Sequence, residues 1–277
     1  MELMPFANST RYDPQDPEVI LLSRVVYLYV AFPIVVILAS CVLTSPYGML
    51  ASNVPLGKIP GKLGWMLMEA MSPLTFLVSF FMPSSTHYTQ PTVASYLFLT
   101  MWLTHYINRS FVSVWRASYR SPMPIITCLS AVFFNLGNAY MNGRWAAVFG
   151  DYPASYLTST PFLLGTALFF AGFVGNILAD NTLMNLRANY VSGKDKEQSK
   201  YKIPYGQLFE FISCPHYFFE IIEWTGYAIA TQSVPGMLFA VCTASNLIPR
   251  AVQIHQWYNT TFADYPKSRK AVIPFLL

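Results

Sequence analysis

The feature that most constrains this chain is a series of long apolar runs separated by short polar connections. Crossing the roughly 30 Å hydrocarbon core of a membrane takes about 20 residues of α-helix. Pro204 and Pro215 interrupt the entry to the sixth run, so we expect that helix to start only after Pro215. Runs of about the required length cover residues 19–44, 64–82, 92–115, 123–141, 160–180, 208–231 and 234–257.

Composition agrees with a membrane protein. Of the 277 residues, 54% are hydrophobic and only 11% are charged, whereas soluble domains carry about 25% charged residues. The sequence therefore predicts an all-α integral membrane bundle of seven transmembrane helices. Because no internal repeat or long linker is evident, we expect residues 1–277 to form a single domain, with a polar segment at 1–18 and a loop at 185–206.

Basic residues predict the orientation of the bundle, because cytoplasmic connections of membrane proteins are enriched in Lys and Arg. Most of them fall in alternate connections, after spans one, three, five and seven. We therefore expect the N-terminus outside and the C-terminus in the cytosol. The basic residues in these connections are Lys58, Lys62, Arg116, Arg120, Arg187, Lys194, Lys196, Lys200, Lys202, Lys267, Arg269 and Lys270.

Polar side chains inside the apolar runs gather near the predicted cytosolic ends of five spans. Ionised groups at membrane depth are costly and usually functional, so the cluster indicates a cavity open to the cytosol. The alternative is that these groups only pair with one another across helices, as buried polar groups must. The cluster consists of Glu69, His105, Tyr106, Asn108, Arg109, Asn176, Asp180, Glu220, Glu223, Arg250, His255 and Tyr258.

Several chemistries are excluded by missing motifs. The sequence has neither a glycine-rich dinucleotide fingerprint after a strand nor a P-loop. Four isolated histidines do not provide the dense ligand set of a membrane di-iron centre. The scattered cysteines at 41, 128, 214 and 242 are typical of small core residues rather than of disulfides or zinc ligands. We predict neither a metal ion nor a nucleic acid as a partner.

Three C-terminal stretches, "GNILADNTLMNLR", "KYKIPYGQLFEFISCPHYFFEIIEWTGYAIAT" and "FADYPKSRKAVIPFLL", resemble the steroid 5α-reductase family. The resemblance thins toward the N-terminus to "HYINRSF" and "WMLMEAMSP", which contain Tyr106 and Glu69. It implies a membrane enzyme that uses NADPH to reduce a 3-oxo-Δ4 steroid, with Tyr106 and Glu69 as the catalytic pair. It places cofactor contacts at Asn176, Asp180, Arg187, Tyr201, His216, Glu220, Glu223, Trp224, Arg250 and Tyr258.

The residues suit the chemistry that the resemblance implies. Hydride addition to the β-carbon of an enone builds negative charge on the carbonyl oxygen, so an acid must donate or share a proton there. Tyr106 is a suitable donor, and Glu69 is a second if its apolar surroundings keep it protonated. Arg187 and Arg250 are the best candidates for phosphate ligands of the cofactor.

Three positions depart from the family pattern. Met68, which we expect to contact substrate together with Trp65, stands where the family usually has Gln, so the identity of the substrate stays open. His216 replaces a common Asn and should still donate to a cofactor amide. Ala117 also replaces an Asn, so one cofactor contact is either lost or supplied by Arg116 or Arg120.

The sequence therefore predicts an NADPH-dependent steroid reductase, and three alternatives remain. An enoyl-thioester or polyprenal reductase of similar fold would have a long, straight cleft, and a membrane methyltransferase would bind S-adenosylmethionine instead of NADPH. A transporter or channel would need polar residues along the whole path, whereas here they lie at one end. We expect a monomer in the bilayer of the endoplasmic reticulum or a bacterial inner membrane, with its active site open to the cytosol.

Overall fold

The computed structural model describes residues 12–42, 57–84, 90–191 and 201–277, and α-helices dominate these ranges. The all-α class predicted from the sequence is confirmed. Apart from the single turn α4, each α-helix has 15 residues or more. The helices are α1 Pro17–Val42, α2 Gly61–Phe81, α3 Val93–Ile107, α4 Ser113–Arg116, α5 Ile125–Arg144, α6 Thr160–Val191, α7 Pro215–Thr231 and α8 Val234–Thr261.

Short irregular elements join the helices. A π-helical turn, Asn108–Val112, continues α3 into α4, and a second one, Trp145–Phe149, extends α5. Two 3₁₀ turns occupy Ala154–Thr158 and Gln207–Glu210. The strands β1 Lys58–Ile59 and β2 Met123–Pro124 form one antiparallel pair, with Lys58 opposite Pro124, and so join the segments that precede α2 and α5.

Four helices in the described ranges are long and apolar enough to cross a membrane: Pro17–Ser40, Gly61–Phe81, Thr160–Ala188 and Val234–Thr261. With 15 and 17 residues, α3 and α7 are shorter than the roughly 20 residues that a span needs. Helix α5 has 20 residues but includes three asparagines and an arginine. The seven-span count and the orientation of the termini therefore stay predictions.

The end of α6 and the start of α7 bracket most of the loop predicted on the cofactor side. Helix α7 begins at Pro215, one residue before the predicted start, because proline is well suited to the first turn of a helix. Helix α6 continues to Val191, well past the predicted end at residue 180 and into the predicted 185–206 loop. Residues 181–191 contain no proline or glycine that would end a helix. Residues 192–200 of the predicted loop lie outside the described residues.

The centre of the bundle is aromatic. Trp102 of α3 is fully buried and lies 4.8 Å from Phe76 of α2 and 5.3 Å from Trp224 of α7, measured between ring centroids. Phe239 of α8 closes the cluster, 4.2 Å from Trp224. Offset and tilted ring pairs at such distances are favourable beyond their buried area. The cluster therefore fixes α3, which carries Tyr106, against α2, α7 and α8.

Helices α6 and α7 approach each other through glycines. A Cβ atom at Gly172 would lie 2.5 Å from the Glu223 nitrogen, and one at Gly226 would lie 2.4 Å from the Phe169 nitrogen. Small residues at such positions let helix backbones come into direct contact. This contact holds Glu223 and Trp224 of α7 at a fixed depth beside α6.

The C-terminal segment is tied to the chain just before α7. Ser213 Oγ lies 2.6 Å from both His255 Nδ1 and the Tyr265 hydroxyl, and the Ser213 nitrogen donates to the Lys270 carbonyl at 2.8 Å. Burial raises the pKa of the Tyr265 phenol. Cys214, which follows Ser213, is a buried free thiol, as are Cys128 and Cys242; these three cysteines are core residues, as expected.

Candidate active site

A cavity of about 600 Å³ lies among α2, α3, α5, α6, α7 and α8, with Phe32 of α1 at its wall. This size is within the usual range of small-molecule sites. Its charged lining residues are Glu69, Arg109, Arg120, Asp180, Arg187, Lys202, Glu220 and Arg250. Its apolar lining residues include Phe32, Met68, Ala131, Phe134, Phe239 and Cys242. The cavity thus offers two chemical environments, one for an ionic ligand and one for an apolar ligand.

Most of the site residues predicted from the sequence meet at this cavity. Those that line it are Trp65, Met68, Glu69, Tyr106, Arg120, Asp180, Arg187, Tyr201, His216, Glu220, Trp224, Arg250 and Tyr258. Asn176 and Glu223 lie behind the wall instead. Asn176 donates from Nδ2 to the His216 carbonyl at 2.9 Å and to Glu220 Oε2 at 3.3 Å, so it supports two residues of the lining.

Arg109 links three helices at the charged part of the cavity. It lies in the π-helical turn after α3, and its three guanidinium nitrogens each approach a different carboxylate. Nε is 3.6 Å from Glu69 of α2, Nη1 is 3.6 Å from Asp180 of α6, and Nη2 is 3.6 Å from Glu220 of α7. At this separation the pairs are ionic contacts rather than short hydrogen bonds. The cross-helix pairing considered from the sequence is therefore present for Glu69 and Glu220.

Cations outnumber carboxylates around the cavity. Five lining residues are Arg or Lys and three are Asp or Glu. The guanidinium of Arg187 is 5.7 Å from the ring centroids of both Tyr119 and Tyr201, and that of Arg250 is 5.9 Å from Tyr217. Aromatic faces of this kind hold the position of an arginine side chain. The arrangement suits a ligand with several negative charges.

Trp65 connects the cationic residues to the predicted substrate contacts on α2. The guanidinium carbons of Arg109 and Arg120 lie 4.7 Å and 4.3 Å from the centroids of its indole rings. Arg120 also donates from Nη2 to Ser113 Oγ at 3.2 Å. The side chain of Arg120 therefore reaches the cavity from the segment after α4, close to the position of Ala117.

The candidate acid Tyr106 is held by aromatic neighbours. Its side chain is buried, and its ring centroid lies 5.3 Å from Trp102 and 5.8 Å from Trp224. Glu69 lies one helical turn before Pro73, which has no backbone N–H to donate to the Glu69 carbonyl. Both side chains line the same cavity, so the two candidate catalytic groups can act on one bound molecule.

Two polar lining residues, which were assigned no catalytic or binding role from the sequence, make hydrogen bonds across helices. His105 bonds through Nδ1 to Glu223 Oε1 at 2.8 Å, and Asn135 of α5 donates from Nδ2 to the Met68 carbonyl at 2.8 Å. The position of His105 beside Tyr106 was visible, but consecutive helical residues point in directions about 100° apart. Nothing in the sequence of α5 shows which of its asparagines reaches α2.

Known proteins resemble this chain over most of its length. A family profile described as "3-oxo-5-alpha-steroid 4-dehydrogenase" matches residues 121–277. The chain is 37% identical over 262 residues to 3-oxo-5-alpha-steroid 4-dehydrogenase 1 of Rattus norvegicus, covering 94% of this chain and 97% of that protein. It is 40% identical over 220 residues to Steroid 5-alpha-reductase DET2 of Gossypium hirsutum, covering 77% and 81%.

A tomato relative extends the comparison. Steroid 5-alpha-reductase DET2 of Solanum lycopersicum is 37% identical over 238 residues, which cover 84% of this chain and 88% of that protein. The chain therefore belongs to the steroid 5α-reductase family of oxidoreductases that act on CH–CH groups. The resemblance stated from the C-terminal motifs is confirmed, and it extends over most of the chain.

Proposed function

We propose that this protein reduces the Δ4 double bond of a 3-oxo steroid with NADPH as the reductant. The observation that carries the proposal is that Tyr106 and Glu69 line one cavity with both the cationic cluster and the apolar wall. The names of the relatives describe enzymes of 3-oxo steroids, which supports the substrate class. NADPH is supported by the excess of cations, because its phosphates call for several positive ligands.

The lining residues fit a dinucleotide. Arg187 and Arg250 would hold phosphate groups, and the tyrosines at 201 and 258 would pack beside them. His216, whose backbone carbonyl is held by Asn176, would donate to the nicotinamide amide. When bound, NADPH would supply a hydride to the β-carbon of the enone. The aromatic cluster around Trp224 would give the reacting part of the cavity an apolar wall.

Tyr106 provides the proton at the carbonyl end. Its phenol donates to the carbonyl oxygen of the substrate as negative charge develops there, which lowers the barrier to hydride addition. Glu69 lines the same cavity and would act as a second donor only when its carboxyl group carries a proton. Arg109 ties Glu69 to α6 and α7, so that the proton donors and the cofactor contacts keep a fixed relative position.

The decisive experiment follows NADPH oxidation by the purified protein in detergent, with and without a 3-oxo-Δ4 steroid. We expect oxidation to depend on the steroid and the product to gain two hydrogens by mass. Tyr106→Phe should lower kcat by about 10²–10⁴-fold, the range of general acid catalysis, and leave the Kd for NADPH within about twofold. Glu69→Gln, which keeps an N–H donor, should be tolerated in part.

Two results would contradict the proposal. Turnover of Tyr106→Phe at the parent rate would show that the assigned acid is wrong. Saturable NADPH binding without steroid reduction would support NADPH as the cofactor but show that the substrate is a different enone. Enoyl-thioesters and polyprenals would then be the next substrates to assay. In that case Met68, in place of the usual Gln, is the first position to restore.

A further inference from the structure

Glu223 is the most enclosed carboxyl group in the described residues near the cavity. Its side chain is completely buried on α7, where the backbone contact with Gly172 of α6 fixes its position. Oε1 lies 2.8 Å from Nδ1 of His105, and Oε2 has no hydrogen-bond partner within the described ranges. Arg109, the cation on the turn after α3, contacts three other carboxylates instead.

The burial of this pair restricts where its protons can lie. A net charge on an enclosed pair costs several kcal/mol, so an overall neutral pair is favoured. One neutral arrangement is a Glu223 carboxylate with a doubly protonated His105 ring. The other is a protonated Glu223 that donates to Nδ1, which leaves the ring proton on Nε2. A third arrangement, with Nδ1–H donating to Oε1 and the carboxyl proton on Oε2, is disfavoured because Oε2 has no partner for that proton within the described ranges. In the two favoured arrangements His105 has an N–H group at Nε2.

The imidazole ring of His105 also lies at the candidate active site. His105 lines the cavity, and within the part of the chain that the structure describes its hydrogen bond is the one from Nδ1 to Glu223. Two rings hold the imidazole edge to face: the Tyr106 centroid lies 4.9 Å away and the Trp224 centroid lies 4.6 Å away. The Nε2–H group is therefore available to a ligand that binds next to Tyr106.

We propose that Glu223 is a positioning residue that keeps His105 as an N–H donor to a carbonyl oxygen of a ligand bound beside Tyr106. This inference rests on the proposed function, which supplies two such oxygens: the carboxamide of the nicotinamide and the ketone of the substrate. Glu223 then acts on the ligand through His105 and not by direct contact. For this role, residue 223 must either donate a hydrogen bond to Nδ1 of His105 or leave a proton on that nitrogen. An unpaired negative charge at residue 223 is not required.

The test compares two substitutions of Glu223. Glu223→Gln keeps an N–H donor toward Nδ1 and so keeps the proton on Nε2, whereas Glu223→Leu removes the bond. We expect kcat/KM of Glu223→Gln to stay within about threefold of the parent and that of Glu223→Leu to fall by about tenfold to hundredfold, as for one hydrogen bond to a ligand. Asp264→Asn, on an exposed segment, is the control and should match the parent.

His105 substitutions keep the test decisive if Glu223→Leu does not fold. His105→Phe retains an aromatic ring between Tyr106 and Trp224 but has no N–H, whereas His105→Gln places an amide donor near the position of Nε2. We expect His105→Phe to lose about tenfold or more in kcat/KM and His105→Gln to recover part of the loss. Equal effects of Phe and Gln would show that the ring only fills space and would overturn the inference.

Binding measurements identify which carbonyl is recognised. If it is the carboxamide, His105→Phe should weaken NADPH binding about tenfold but leave binding of 2′-phospho-ADP-ribose, which has no nicotinamide, unchanged. If it is the substrate ketone, NADPH binding should be unchanged while KM for the steroid rises. Unchanged binding, KM and kcat in His105→Phe would refute the donor role.

The failure of this inference can be separated from failure of the proposed function. A parent protein that does not reduce any 3-oxo-Δ4 steroid refutes the proposed function. A fully active parent whose Glu223→Gln and Glu223→Leu variants lose activity equally refutes the role of the pair alone, because it would show that the carboxylate itself is required.

Discussion

At the residue scale, Arg109 has the largest electrostatic role among the described residues of the cavity. Its side chain is 14% exposed, and it contacts three carboxylates that would otherwise repel one another at close range. Sequence inspection singled out Tyr106 three positions earlier, and the π-helical turn then carries Arg109 toward α2, α6 and α7. Arg109 thus links α2, α6 and α7 and also forms part of the cavity wall.

Removal of this cation should destabilise the bundle. Arg109→Met leaves Glu69, Asp180 and Glu220 without their shared partner, and breaking a buried ionic contact on one side typically costs about 3–5 kcal/mol. We expect a clearly lower midpoint of thermal unfolding in detergent. Arg24→Met, at an exposed position of α1, is the matched control and should change the midpoint little. Equal midpoints for the two variants would show that the carboxylates do not depend on Arg109.

Arg187 is expected to act on the cofactor. Arg187→Ala should weaken NADPH binding about tenfold, the value of one charge-assisted hydrogen bond, with a smaller effect on kcat. Titration with NADPH and with NADH distinguishes which phosphate Arg187 binds. A loss of affinity for NADPH alone assigns Arg187 to the 2′-phosphate, whereas an equal loss of affinity for both nucleotides assigns it to the bridging phosphates. Lys267→Ala removes an exposed cation outside the cavity and should leave both affinities unchanged. Parent-like binding of NADPH by Arg187→Ala would show that Arg187 is not a cofactor ligand.

At the element scale, the contact between α6 and α7 determines the depth of the residues on α7 that face the cavity. Gly165, Gly172 and Gly226 place the two backbones so close that a single added methyl group would meet a main-chain nitrogen. The contact is a property of both helices together, because each glycine needs a backbone opposite it. It also explains why Glu223, within a short helix, is fully enclosed.

Gly172→Ala should therefore disturb the site as well as the packing. The new Cβ would lie 2.5 Å from the Glu223 nitrogen, so α7 must shift. Overpacking of this kind costs about 1–3 kcal/mol, and we expect a lower unfolding midpoint together with a fall in kcat/KM. Ala171→Leu, at the exposed neighbouring position on α6, should be tolerated. Parent-like activity and stability of Gly172→Ala would show that the helices can separate without cost.

At the scale of the whole molecule, the cavity is assembled from helices that are far apart in the chain. Glu69 and Glu220 share Arg109 although 150 residues separate them in the chain, and α1 contributes Phe32 to the wall. Helices from both halves of the described chain therefore line one cavity.

The positions of the termini provide a simple test of the topology. Seven spans place the two ends on opposite sides of the membrane, whereas four spans place them on the same side. We expect an N-terminal reporter to be external and a C-terminal reporter to be cytosolic, because the basic connections alternate. Protease protection of epitope tags at each end measures this directly. Both tags on one side would rule out the seven-span prediction.

The sequence alone determined the helical class and the approximate helix positions. It also identified the polar residues that lie near one end of several apolar runs. These follow from local rules, since burying a helix in an apolar medium requires a long apolar run, and Pro215 limits where α7 can begin. The family motifs added the candidate catalytic and cofactor residues. The helix end at Val191 was not recognised, because polar residues in α6 resembled a loop.

Only the tertiary structure decided which polar groups meet. His105 and Glu223 are 118 positions apart and bond at 2.8 Å, and Arg109 reaches carboxylates of three different helices. Such contacts depend on the rotation and depth of each helix, which are fixed by the aromatic cluster at Trp102 and the glycine contacts of α6 with α7. Periodicity along one helix contains no information about its rotation against another, because that rotation is set by side-chain packing across the whole bundle.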